Sequence, residues 1–227
     1  MVTEEYTQYL RPGRFINSDD PAVIEFSENT VAGETSEKNR VLALFYRVRD
    51  EILYDPYLPF GKPESYTAKD ALATCRGWCV PKAALLAACA RAIGIPARVG
   101  YADVKNHLAT EKLLKAMGTD LFAWHSYADL YLNGRWIKST PAFNKSMCEK
   151  FHLKPLDFDG ESDSLFHEFD QTGNRHMEYV RERGTYTDVP FEEIVASYKE
   201  LYPYVASDPF HGIDGDFQAD AGNDQIT

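Results

Sequence analysis

The side chains best suited to nucleophilic or metal chemistry in this chain are four cysteines, Cys75, Cys79, Cys89 and Cys148, and six histidines, His107, His125, His152, His167, His176 and His211. Cys79 stands apart by its neighbours. It follows Gly77 and Trp78 and opens the stretch CVPKAALLAACARAIG. There Ala83, Leu86, Ala87, Ala90 and Ile93 recur at three- and four-residue steps, the spacing of a buried helix face. Pro81 is tolerated only in a first helical turn, where its missing N–H has no partner to lose. Gly94 supplies the stop. Cys79 is therefore expected at a helix N-terminus, where unpaired backbone N–H groups and the positive end of the helix dipole favour a thiolate. A cysteine so placed can titrate well below the free value of about 8.5. The same N–H groups can receive the oxyanion of a tetrahedral intermediate. Cys89, mid-helix among alanines, and Cys75 and Cys148 fit the ordinary use of free cysteine as a small buried hydrophobe.

A reactive thiol needs a base, and a neutral imidazole is the usual one. Among the histidines, only His125 falls in a strand with an informative neighbourhood. The runs FAWHSYADLYL and RWIKSTPAF are joined by Asn133-Gly134, the preferred pair for a two-residue hairpin turn. Such a turn fixes the register, pairing Leu132 with Arg135, Tyr131 with Trp136, Asp129 with Lys138 and Tyr127 with Thr140. The opposite charges of Asp129 and Lys138 support it. One face then carries His125, Tyr127, Asp129 and Tyr131 with Trp136, Lys138 and Thr140, and His125 lies diagonal to Thr140.

The remaining elements must hold this pair. A helix is predicted over residues 36–53, capped by Ser36, with Val41, Leu44, Phe45, Val48 and Ile52 as its apolar stripe. Residues 54–63 read as a proline-rich loop, 68–73 as a short helix and 97–104 as a strand. Residues 105–120 form a short helix or connection whose Leu113, Leu114 and Met117 either cover a site or serve local core. Residues 1–35 carry turn signals around a short strand at Val23 to Phe26. Residues 145–204 read as an irregular acidic loop, a strand with a turn, and a helix begun near Pro190. The stretch 205–227 is acidic and expected to be flexible.

Composition narrows the function further. With 24 Lys and Arg against 35 Asp and Glu, the formal charge is −11, which argues against binding nucleic acid or anionic membrane. The start of the chain lacks a basic segment followed by an apolar run, so no secretory signal is read, and a cytoplasmic protein with reduced thiols is expected. No stretch approaches the ~18 apolar residues of a membrane span. Cys75 and Cys79 have a C-x-x-x-C spacing without a second ligand pair, which does not suit zinc. Asp157, Asp159, Asp163 and Asp170 do not follow a calcium-loop spacing. No metal or other cofactor is expected.

Gly77-x-Cys79 opening a helix, then RAIGIPARVGY at 91–101, a His strand, an Asn-Gly turn and a Trp strand resemble the transglutaminase-like cysteine-enzyme superfamily. YRVRDEILYD at 46–55 resembles that family's preceding helix, and the similarity covers roughly residues 36–144. The resemblance implies an α+β, papain/transglutaminase-like core with the nucleophile helix packed on an antiparallel sheet. It implies Cys79 as nucleophile and His125 as general base. The third residue, usually an aspartate, corresponds to Thr140. A threonine hydroxyl can accept a ring N–H but brings no negative charge, so Asn144 or Asp103 is an alternative orienting group. Trp78, Trp124 and the loop 57–60 are candidates for the cleft wall. The expected function is thioester-mediated acyl chemistry on a peptide or protein substrate or a small amide. It proceeds by hydrolysis or by transfer to an amine, without calcium dependence. The rival reading is an inactive binding module for peptide or protein. The expected organisation is an extension over 1–35, one domain over 36–204 and a tail over 205–227, with the oligomeric state open.

Overall fold

The computed structural model describes residues 4–106, 109–165 and 177–223. Its elements follow in chain order: α1 (Pro21–Val31), α2 (Glu37–Glu51), β1 (Leu53–Tyr54), α3 (Ala68–Thr74), β2 (Arg76–Gly77), α4 (Cys79–Ala92), β3 (Ala97–Asn106), α5 (Glu111–Met117), β4 (Leu121–Leu132), β5 (Arg135–Ser139), α6 (Lys145–Lys150), β6 (Met177–Tyr186), α7 (Phe191–Leu201), α8 (Pro203–Ser207) and α9 (Phe217–Asn223). β5, β4, β3 and β6 lie in that order in an antiparallel sheet, and β1 and β2 form a small parallel pair. The α+β class expected from sequence is the one observed.

α4 is the centre of the molecule. It packs on β4 and β3 and is flanked by α1, α2 and α3. Every residue from Cys79 to Arg91 is buried, so the helix is enclosed all round instead of showing one apolar stripe. Its one lysine is handled by capping: the fully buried Lys82 donates to the carbonyls of Arg49 and Ile52 at the end of α2. Gly94 closes the helix with φ +83, and the N–H groups of Gly94 and Ile95 return to the carbonyls of Arg91 and Ala90. Arg91 ties the helix end to β3, to the N-terminal loop and to the segment after β6 through the carbonyls of Ala97, Arg11 and Thr187.

The hairpin register holds at each pair from Leu132↔Arg135 to Ala128↔Ser139, including Asp129↔Lys138. Ser36 caps α2 as expected, its hydroxyl accepting the Asn39 N–H. Val23 to Phe26 is a correction: the segment is helical within α1. Asp20 accepts the Ala22 N–H as N-cap and Pro21 holds the first turn, while Val23, Ser27 and Val31 make the buried face at helical spacing. Two β-branched residues and a phenylalanine suggested a strand, but the cap and the proline decide the conformation.

The described part of the acidic C-terminal stretch packs on the body. Val205, Phe217 and Ala221 are buried, and Gln218 Nε2 donates to the Tyr54 carbonyl at 2.7 Å. No helix among the described residues is long and apolar enough to cross a membrane.

Candidate active site

Cys79 is the first residue of α4, with Trp78 as its N-cap in extended conformation. β2 delivers the chain to this point beside β1, through Tyr54↔Gly77 and the Asp55 N–H to the Gly77 carbonyl. The thiol lies against β4, where the backbone N–H of Ser126 joins those of Val80 and Cys79 in favouring the thiolate. Burial opposes them and is the larger effect, pushing the Cys79 pKa up to about 12. The lowered pKa expected at a helix N-terminus is therefore not found in this closed arrangement. The N–H groups act in the predicted direction, and desolvation outweighs them.

His125 sits on β4 with 7% exposure against 6% for Cys79. The two line one apolar cavity of about 30 Å³, together with Tyr54, Phe60, Trp78, Leu113, Met117 and Tyr202 among others. That volume is on the scale of a single water. Burial alone lowers the His125 pKa to about 4. Cys79 and His125 are thus both uncharged near neutral pH, a thiol and an imidazole lining the same cavity.

His125 also lines a second cavity, of about 10 Å³, with Thr140, Ala142, Phe143 and Met177. His125 Nε2 and Thr140 Oγ1 are both buried, and neither has a hydrogen-bond partner among the described residues. Thr140 follows β5, anchored by its N–H to the Ser164 carbonyl at 2.8 Å. The two alternative orienting groups are engaged elsewhere. Asn144 Oδ1 accepts the Tyr54 N–H at 2.9 Å and its Nδ2 donates to Ser146. Asp103 accepts the Trp124 N–H and pairs with Arg183.

Of the two tryptophans expected at the cleft, Trp78 lines the cavity with Cys79. Trp124 packs on Tyr101 and Tyr186 beneath the Arg183 guanidinium. Phe60 from the 57–60 loop and Leu113 and Met117 from α5 are in the cavity wall. Tyr198 and Tyr202 complete it from α7 and the turn after it, and the Tyr202 hydroxyl accepts the Ala123 N–H at 2.7 Å. Sequence reasoning missed both, because the contact joins residues far apart in the chain; the apolar stripe of α7 signalled only that this helix packs on something. Cys75, expected among the buried thiols, is exposed: it caps α3 in the left-handed region at φ 52. Cys89 and Cys148 are buried and all four cysteines are free. His152 and His211 are outside the site, and His107, His167 and His176 lie outside the described residues. No metal-binding group of His, Cys, Asp and Glu occurs among the described residues.

The sequence model of the transglutaminase-like superfamily matches residues 24–141, over half of the 227-residue chain and beginning within α1, earlier than the 36–144 expected. No curated protein matches. Among solved structures, the chain is similar to a candidate cysteine protease from Cytophaga hutchinsonii. The TM-score is 0.51 and the identity 19%, over 82% of this chain and 48% of that one. It thus spans about half the length of that relative. A second similar structure is the periplasmic domain of TgpA from Pseudomonas aeruginosa, with TM-score 0.42 and 21% identity over 61% of this chain and 48% of that one.

Proposed function

Because the chain belongs to the transglutaminase-like superfamily, which supports a cysteine-based enzyme, we propose that it performs acyl chemistry on an amide or peptide bond through a Cys79 thioester. The observation that carries this reading is the shared cavity: Cys79, at the start of α4, and His125, on β4, line the same apolar cavity. In the proposed reaction His125 takes the thiol proton as Sγ attacks the carbonyl carbon, and the Cys79 backbone N–H receives the oxyanion. The C–N bond breaks as the imidazolium returns its proton to the departing amine. Water or a second amine then attacks the thioester, giving hydrolysis or acyl transfer.

With both groups neutral at rest, the thiol proton has to leave during attack and not before it. Proton transfer accompanies attack, so no buried ion pair has to persist beforehand. A cavity of about 30 Å³ holds no peptide, so substrate must displace part of the wall, and Leu113 and Met117 on the short helix α5 are the side chains proposed to move. The substrate is a peptide, a protein segment or a small amide.

The rival reading, a binding module that has lost activity, is favoured by Thr140, which brings no charge to His125. Acylation by an activated ester, mapped by mass spectrometry, separates the two. The enzyme reading expects acyl groups on Cys79 in preference to the exposed Cys75, with a loss of ~100-fold or more in His125→Ala. Acylation confined to Cys75, or a Cys79 rate indifferent to His125, would refute it.

A further inference from the structure

β4 carries an extra residue beside the candidate base. Ala102 pairs with His125 and Val104 with Phe122, so Asp103 of β3 stands opposite both Ala123 and Trp124. Trp124 has φ +58, a region that large side chains seldom occupy. Phe122 and His125 are an odd number of positions apart and would point to opposite faces of a regular strand. The bulge puts both on the face of their partners Val104 and Ala102. It therefore decides where the imidazole lies.

Two charged residues hold the bulge. The buried Asp103 Oδ1 accepts the Trp124 N–H at 3.0 Å. Arg183 of β6 donates Nε to the same oxygen at 2.5 Å, and its guanidinium lies over the Trp124 indole, 4.5 Å from the ring centroid. The β3–β6 register also shifts on either side of the Ala102–Asp103 pair, so three strands are irregular at one level. Asp103 is buried and Arg183 partly so, and withdrawing a carboxylate from water is an unfavourable way to stabilise a sheet that an apolar residue could fill. The presence of this pair beside a strained residue, immediately before His125, points to a positional role.

We propose that Asp103 and Arg183 are positioning residues for His125: they lock the Trp124 bulge and so set the ring between the Cys79 cavity and the Thr140 cavity. The proposal rests on the reading of His125 as the base. Neither residue touches the reacting atoms.

The test uses Asp103→Ala, Asp103→Asn and Arg183→Met in the full chain, with two readouts. One is the rate of Cys79 acylation. The other is the nitrogen–proton NMR spectrum of the His125 ring, which needs no catalysis. Asp103→Asn keeps an oxygen for the Trp124 N–H, so it should stay within a few-fold of wild type with a similar ring spectrum. Asp103→Ala should displace the ring resonances and slow acylation, by up to ~100-fold for a displacement near an ångström, while melting stays cooperative. If Asp103→Ala does not fold, Arg183→Met carries the test and should shift the same resonances. A folded Asp103→Ala, or failing it Arg183→Met, with wild-type His125 resonances overturns the proposal. If acylation in the otherwise native chain ignores His125→Ala, the base reading fails by itself, and the ring spectrum still decides whether the pair positions His125.

Discussion

Thr140 and His125 line one cavity of about 10 Å³, and both Thr140 Oγ1 and His125 Nε2 are buried without a partner among the described residues. Thr140 occupies the place where the superfamily resemblance leads one to expect a carboxylate. Thr140→Asp would bring negative charge to that cavity and favour the imidazolium. We expect the His125 pKa to rise from about 4 and Cys79 acylation to speed up by ~10-fold, one pKa unit of added stabilisation. An NMR titration of His125 checks the first effect and acylation kinetics the second. A His125 titration unchanged in Thr140→Asp would mean that position 140 does not address the ring.

Burial of His125 also sets an acid limit on stability. Its pKa falls from 6.5 in the unfolded chain to about 4 in the folded one. Between those values the unfolded state binds the proton and the folded state does not, so stability is lost as pH falls through this window. The loss attributable to His125 is about 3 kcal/mol at pH 4. His125→Phe should remove that share of the slope, measured by urea unfolding at pH 7 and pH 4. Cys79 acts at the alkaline end. Its thiol stays protonated to about 12 when folded and ionises near 9 when unfolded, so stability declines as pH rises through that range.

The wall over Cys79 is expected to be removable. Leu113 and Met117 are 2% and 3% exposed and line the cavity from α5. Leu113→Ala and Met117→Ala together should raise the labelling of Cys79 by a bulky maleimide relative to Cys75, the exposed internal reference. Each substitution also weakens the fold, by ~2–5 kcal/mol, so labelling is compared well below the melting temperature. An unchanged Cys79-to-Cys75 ratio would place the way in elsewhere.

Local signals in the sequence carried the frame of the site. Pro81 and Gly94 bound the Cys79 helix, and Asn133-Gly134 fixed the pairing that puts Asp129 opposite Lys138. What escaped was decided by contacts between distant segments. The Trp124 bulge has no glycine to announce it and depends on Asp103 and Arg183. The thiol's high pKa follows from enclosure by residues as distant as Tyr198 and Tyr202. A helix start could be read from spacing, but the desolvation of its first side chain could not.

Lys82 gives the last prediction, because its role in the fold opposes its chemistry. It is fully buried in the first turns of the Cys79 helix and caps α2 through the carbonyls of Arg49 and Ile52. Burial lowers its pKa well below 10.5, more than nearby Asp50 raises it. A lysine whose pKa is lower in the folded than in the unfolded state binds fewer protons when folded over the range between the two values, so there its contribution to stability increases with pH. Lys82→Met strands two carbonyls, at a cost of roughly 1–3 kcal/mol each, but also ends the penalty for discharging a lysine. The two effects oppose each other most at neutral pH, where the mutant should lose least. As pH rises towards 9 the wild type should gain on Lys82→Met by up to about 1.4 kcal/mol per pH unit. Cys79 is common to both chains, so its alkaline effect cancels in the difference. Urea unfolding of the pair at pH 7, 8 and 9 measures it. A stability difference that stays flat across those three values would show that Lys82 remains charged against the end of α2.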